Sequence, residues 1–224
     1  MNVLTKTVAL GTLATSIMIA ANPAQAAIVQ YTNRASFLNA IQPGYYLETF
    51  NSVSITGTTA SPINFSNGTY SYRASVPDDF YGAGSNANRW LSTNIATDTI
   101  TFSNFSPAIT AIGGYFFASN VNGALTAGTI NATVNGGSSS LSASTNSALN
   151  FFGFVSTDGT PLTSLETFIT QPNGAFIWPT VNDLIVGQAQ PVPEPLTILG
   201  TATAAGLGVV LKRRAKKLTT NKID

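Results

Sequence analysis

The chain has 224 residues, 44% of them hydrophobic and only 8% charged, with 10 Lys and Arg, 9 Asp and Glu, and neither His nor Cys. An average soluble protein carries about 25% charged residues; here Ser, Thr, Asn and 19 Gly make up the difference. The missing His excludes Ser-His-Asp hydrolysis and most zinc enzymes, and the missing Cys excludes thiol nucleophiles, thiolate metal sites and disulfides.

The net charge of +1 hides a segregation of signs. Lys6 stands near the start, and Lys212, Arg213, Arg214, Lys216, Lys217 and Lys222 crowd the end. Between Ala27 and Pro191 there are three Arg (Arg34, Arg73, Arg89) against seven acids, a balance of −4. Residues 99–157 carry no charge at all. A basic footprint for nucleic acid is therefore absent from the middle of the chain.

Residues 1–26 read as a secretory signal peptide. Lys6 precedes an uncharged, mostly apolar run from Val8 to Ala21, Asn22-Pro23 breaks it, and Ala24-Gln25-Ala26 gives the small-x-small pattern read by signal peptidase. Cleavage after Ala26 makes Ala27 the first mature residue.

Residues 27–187 have the length of one sizeable core and read as all-β. A short helix is expected over about 33–41, capped by Thr32 or Asn33 and stopped by Pro43-Gly44. Beyond it the pattern has period two. Strands are expected at 45–50, 68–74, 90–94, 99–102, 109–118, 128–135, 138–144, 150–156, 165–170, 176–178 and 181–186. Asn-Gly and Asp-Gly pairs punctuate them, and Asn135-Gly136 marks the clearest hairpin. Such a series predicts a two-sheet sandwich of jelly-roll type with one short N-terminal helix; a closed barrel is the alternative.

Few residues in the body offer chemistry. Glu48 and Asp183 stand at the start and end of the strand series, which jelly rolls often place side by side. An acidic pair there can hold Ca²⁺ through hard oxygen ligands, the alternative being two solvated edge carboxylates. Asp78-Asp79-Phe80-Tyr81-Gly82 is an acidic and aromatic loop, able to bind a cation or stack a sugar, or simply to fold its rings onto the core. Trp90 and Trp178 read as core and sheet-face residues rather than a lectin platform. Seven acids allow many glycosidase-like pairs, and the sequence selects none of them. The reading is a protein that is not an enzyme, with an extracellular hydrolase as a minority view.

Residues 188–195 form a Pro-rich linker ending in Pro191-Val192-Pro193-Glu194-Pro195. Residues 196–211 are uncharged and Gly/Ala-rich. As a helix they span about 24 Å, short of a roughly 30 Å hydrocarbon core, but basic side chains at the end can snorkel. Lys212, Arg213, Arg214, Lys216 and Lys217 then form a stop-transfer cluster that keeps residues 212–224 in the cytoplasm. The expected topology places the β domain outside and the tail inside.

The order of Val192-Pro193-Glu194-Pro195, apolar run and basic end resembles the PEP-CTERM sorting signal of Gram-negative bacteria. The resemblance covers some 27 residues, from Val192 to about Leu218. It implies that Pro193, Glu194 and Pro195 are the recognition triplet of an exosortase, a membrane-embedded transpeptidase or protease that removes the tail. The body resembles such proteins more loosely, through its short first helix and its closing Val181-Asn182-Asp183-Leu184-Ile185-Val186-Gly187. What the resemblance implies is an exported protein anchored at the inner membrane on the periplasmic side, then passed to the cell surface or extracellular polysaccharide. Its expected partners are signal peptidase, the exosortase, the membrane and matrix polysaccharide, and its domain is structural or adhesive. A carbohydrate-binding module, with or without Ca²⁺, is the alternative.

Overall fold

The structure, a computed structural model, describes residues 28–191. The expected signal peptide, the Pro193-Glu194-Pro195 triplet, the apolar run and the basic cluster lie outside the described residues. In chain order the elements are β1 (Ile28–Tyr31), α1 (Arg34–Asn39), β2 (Tyr46–Glu48), β3 (Thr58–Ala60), β4 (Ile63–Ser66) and β5 (Ser71–Ser75). β6 (Asp79–Tyr81), β7 (Ala83–Ser85), β8 (Asn88–Ser92), β9 (Ile100–Ser106), β10 (Ala111–Ser119) and β11 (Leu125–Thr126) follow. β12 (Gly128–Val134), β13 (Ser139–Thr145), β14 (Phe151–Ser156), β15 (Ser164–Thr170) and β16 (Trp178–Gly187) complete the series.

Two antiparallel sheets face each other. One runs β1-β14-β10-β16-β8-β7, with β2 also on β16 and β11 on β10; the other runs β13-β12-β15-β9-β5-β4. β3 and β6 form a separate two-stranded ribbon. The apolar core lies between the sheets: Ile112, Phe116, Phe152, Phe154, Val181 and Leu184 from the first meet Tyr72, Phe102, Ile130, Val134 and Leu165 from the second.

Burial along the strands shows which sheet is covered twice. β12 and β15 alternate between buried and part-exposed positions, as expected of strands with one wet face. In β14 all six residues are buried, and in β10 all but Tyr115 are. The second cover is α1. Asn33 caps it, accepting the Ser36 amide at 3.0 Å, and Phe37 and Ile41 pack with Ala111, Phe151, Val155 and Ile185 on the outer face of the first sheet. Phe37 sits on Gly153, which pairs with Gly113; a Cβ at 153 would lie 2.6 Å from Phe37 Cδ2, and one at 113 would lie 2.9 Å from Phe151 Cζ.

The expected helix and core strands are present, with two adjustments. Of the expected strand at 176–178 only Trp178 is in a strand, and it opens β16, which runs on through the expected 181–186 and carries Pro179 at its second position. Six short strands, β1, β3, β4, β6, β7 and β11, had no expected counterpart. The hairpin at Asn135-Gly136 joins β12 to β13 in full register, from Gly128 opposite Thr145 to Val134 opposite Ser139. Asn135 and Gly136 take φ of 51° and 64°. The body also runs past Gly187: Gln42 N donates to Gln188 O and Gln190 N to Ala40 O.

The two ends of the described body emerge together. Ile28 pairs with Ser156, the Ser156 amide donates to Thr110 O, and the Thr110 amide donates to Gly187 O. These four residues stand abreast at one end of the first sheet. β10 runs from that end to the opposite one, a distance of about 27 Å at roughly 3.4 Å per residue. No helix among the described residues is long and apolar enough to cross a membrane.

Candidate functional site

Glu48 and Asp183 do come to neighbouring strands. Glu48 is opposite Leu184 in the β2–β16 pairing, one position from Asp183. Their surroundings differ. Glu48 is half-buried and both its oxygens are engaged: Oε1 accepts the Phe50 amide at 2.7 Å and Oε2 accepts the Tyr46 hydroxyl. Asp183 is the extra residue of a β-bulge, where the register shifts between Gly113 and Tyr115, and its φ is 50°. Among the described residues no group of three or more His, Cys, Asp or Glu is placed to hold a metal ion. The geometry gives Glu48 a clear local task. It ties β2 to the turn that follows and fixes the Tyr46 ring in the core.

That carboxylate also acts on the tyrosines around it. Burial first, then the Glu48 hydrogen bond and charge, hold the Tyr46 hydroxyl well above the ordinary tyrosine range. Burial and the nearby Glu48 raise Tyr72 as well. Tyr72 is 2% exposed, packed among Phe65, Phe102, Phe105 and Tyr46, and its hydroxyl has no hydrogen-bond partner among the described residues. Such an orphaned hydroxyl costs roughly 1–3 kcal/mol. Tyr72→Phe is therefore expected to raise the melting temperature at pH 7. The linkage has a definite sign. Both pKa values are raised in the folded state, so their contribution is whole below the ordinary value of 10.0 and is lost as pH climbs above it. Denaturant titrations at pH 7, 10 and 11 should show stability falling above pH 10, with a shallower fall in the variant. A variant less stable than wild type at pH 7 refutes the orphaned hydroxyl.

The acidic and aromatic loop separates into different roles. Phe80 is fully buried in the core, whereas Tyr81 is 37% exposed. Asp78 Oδ2 accepts Asn94 Nδ2 at 2.9 Å, and the Asn94 amide donates to Asp79 O. This tie brings the β6 end to the segment after β8. Trp90 packs edge-on to Phe117 with ring centroids 4.9 Å apart, as a sheet-face residue should. Trp178 does something else: its indole N–H donates to Asn94 O at 3.1 Å, and it lines a pocket together with Tyr81.

The pocket occupies about 150 Å³ at the end of the first sheet remote from the two chain ends. Four segments with no sequence proximity build it: Tyr81 to Ala83, Ser92 to Asn94, Ser119 to Val121 with Gly123, and Trp178. Beneath it runs a chain of buried hydroxyls. Ser119 Oγ and Thr180 Oγ1 are 2.8 Å apart, Thr180 donates on to Ser92 Oγ, and Ser92 donates to Pro179 O at 2.9 Å. The floor is thus satisfied internally and rigid. Asn120 Oδ1 accepts the amides of Asn122 and Ala124, which leaves its Nδ2 as a donor. Asn94 spends its Nδ2 on Asp78 and keeps Oδ1 as an acceptor.

The lining holds two aromatic rings, hydroxyls, amides and backbone, and no Asp, Glu, Lys or Arg. Chemically it can stack and hydrogen-bond; it has no carboxylate pair for glycoside cleavage. Tyr81 was visible in the sequence as part of its loop. Ser92, Asn94, Ser119 and Asn120 carry no local signal, because only the pairing of β8, β10 and β16 brings them together. Compared with family models, with curated proteins and with solved structures, the chain matches none.

Proposed function

We propose that the chain is an exported surface protein, held briefly at the inner membrane and released through its PEP triplet by an exosortase-like enzyme. One observation carries this reading: the order of leader with Ala24-Gln25-Ala26, β body, Pro193-Glu194-Pro195, apolar run and basic cluster. The placement of the body's two ends supports it. Ile28 and Gly187 leave the first sheet at the same end, so a tether there holds the sandwich by one end and presents the other outward. The domain serves as a structural or adhesive element among extracellular polysaccharide. A jelly-roll form of the sandwich belongs to the same proposal. Its support is the repeated passage of the chain between sheets from β9 to β16 and the pairing of β2 with β16.

A second reading, a carbohydrate-binding module, is favoured by the pocket between Tyr81 and Trp178. Its lining offers no support to the hydrolase reading.

Processing provides the test. The mature protein recovered from the cell surface should begin at Ala27 and end near Pro195, read by intact mass. Glu194→Ala should leave insertion unchanged, since the apolar run and basic cluster are untouched, yet stall release with full-length tail retained at the membrane. Wild-type protein that keeps residues 196–224 at the surface would reduce the tail to a permanent anchor.

A further inference from the structure

We propose that the pocket between Tyr81 and Trp178 binds one neutral pyranose ring of a polysaccharide, without a metal ion. The inference deepens the carbohydrate-binding reading above and rests on it.

Charge narrows the ligand first. No ionised side chain lines the pocket, so a charged ligand would lose its hydration without gaining a counter-charge. The surrounding segment from Ala27 to Pro191 carries three Arg against seven acids, which disfavours uronic acids and sulfated sugars further. A purely apolar ligand fits no better. It would cover a lining that includes Asn94 and Asn120, whose Oδ1 and Nδ2 have no partner among the described residues, and would offer neither a hydrogen bond. A pyranose ring answers both demands: its C–H face stacks on an aromatic ring and its hydroxyls both donate and accept.

The donors and acceptors are fixed before any ligand arrives. Two backbone amides hold the Asn120 carbonyl, Asp78 holds the Asn94 amide group, and Thr93 donates to Ile95 O at 2.7 Å, leaving its oxygen to accept. Trp178 is locked through its own N–H to Asn94 O. Such preorganisation lowers the ordering cost of binding. The volume of about 150 Å³ is small against the roughly 300–1,000 Å³ of sites for drug-sized ligands. It suits one ring, with Val121, 77% exposed at the mouth, in reach of a neighbouring unit.

Metal is not needed for this mode of binding. The lining holds no carboxylate, and among the described residues no group of three or more His, Cys, Asp or Glu is placed to hold a metal ion. The site also stands at the far end of β10 and β16 from the chain ends, so in a tethered chain it faces away from the membrane and toward the matrix.

The test uses the full chain in a sugar-free zwitterionic detergent on an array of neutral hexose, N-acetylhexosamine and uronic acid oligosaccharides. Binding to neutral glycans is expected, unchanged by EDTA, with tryptophan fluorescence altered through Trp178. Tyr81→Ala and Trp178→Ala should each weaken it at least tenfold, while Trp178→Phe, which keeps a ring to stack on, should weaken it less. Melting curves identify a variant that fails to fold, and Tyr81, exposed on the rim, provides the variant least exposed to that risk. Binding that survives both Tyr81→Ala and Trp178→Ala would overturn the pocket and leave carbohydrate binding elsewhere on the protein. Loss of binding in EDTA would overturn the metal-free mode. Binding to uronic acid glycans alone would overturn the neutral pocket and leave the carbohydrate reading, and an array with no glycan bound at all would overturn both.

Discussion

Phe37→Ala is expected to destabilise the body by about 3–5 kcal/mol. Phe37 is fully buried although it belongs to a helix of six residues, too short to be stable alone. Its ring meets Phe151 at 5.3 Å and the edge of Tyr31 at 5.9 Å between centroids. Below it the strand pair offers Gly113 opposite Gly153, a slot that any side chain would fill. Large residue and small residues are thus a matched set, and α1 is held on the sheet chiefly by this one ring. The reciprocal change, Gly153→Ala, puts a methyl group into Phe37 and should cost about 1–3 kcal/mol. Because the two sites share one space, the double variant should cost less than the sum of the singles. Denaturant unfolding of the three variants measures this coupling. A loss below about 1 kcal/mol for Phe37→Ala, or strict additivity, would show that α1 does not close the outer face.

The same packing explains what a sequence reading can and cannot see here. Asn33 and the apolar spacing through Leu38 are local signals and the helix starts where they put it, but it ends at Asn39, ahead of the Pro43-Gly44 stop, because Ile41 pairs with Ala189 instead. The Asn135-Gly136 hairpin is equally local, since positive φ is demanded of those two residues. Period two picks out β12 and β15 because one face of their sheet is wet. The run FFGFV in β14 is legible as a strand, but its burial on both faces depends on α1, which the strand's own residues do not announce. The short strands at the rim, such as β6 and β7, hold three residues each and have too few alternations to show a period.

Candidate sites follow the same division. That the first and last strands of the expected series would neighbour each other was legible, and Glu48, on the three-residue β2, does lie beside β16. What Glu48 binds was not legible: its partners, Tyr46 and Phe50, are close in sequence, but only the turn with Phe50 at φ 58° aims that amide at the carboxylate. The pocket is harder still. Its four segments lie between residues 81 and 178, and each residue type in it is abundant throughout this Ser-, Thr- and Asn-rich chain. Abundance of the right chemistry removes its value as a signal; adjacency supplied by the sheet restores it.

A chain ending at Gly187 should be less stable than one ending at Pro191 by about 3–4 kcal/mol. The difference lies in Gln188, Ala189 and Gln190, which form a clamp on the segment after α1. Gln42 donates its amide to Gln188 O and its side chain to Ala189 O, at 2.8 and 2.9 Å. Gln190 returns its amide to Ala40 O and its side chain to Ile41 O, both at 2.9 Å. Thr110 sits between, accepting the Ala189 amide at 2.7 Å and donating to the Gln188 side chain, which in turn donates to Ala108 O. A net value near 0.5 kcal/mol for each bond, the low end for an end segment, gives the figure above. With a shift of roughly 2–4 °C per kcal/mol, melting temperatures should differ by about 7–14 °C. The clamp matters for the proposed processing. It ends one residue before Val192-Pro193-Glu194-Pro195, so a cut near the triplet releases a body with every one of these bonds intact, whereas a cut only four residues earlier than Val192 would free the segment after α1 and uncover Ile41, now 2% exposed. Equal melting temperatures for the two chains would mean that residues 188–190 are a dispensable arm, and that the position of the triplet is not matched to the end of the fold.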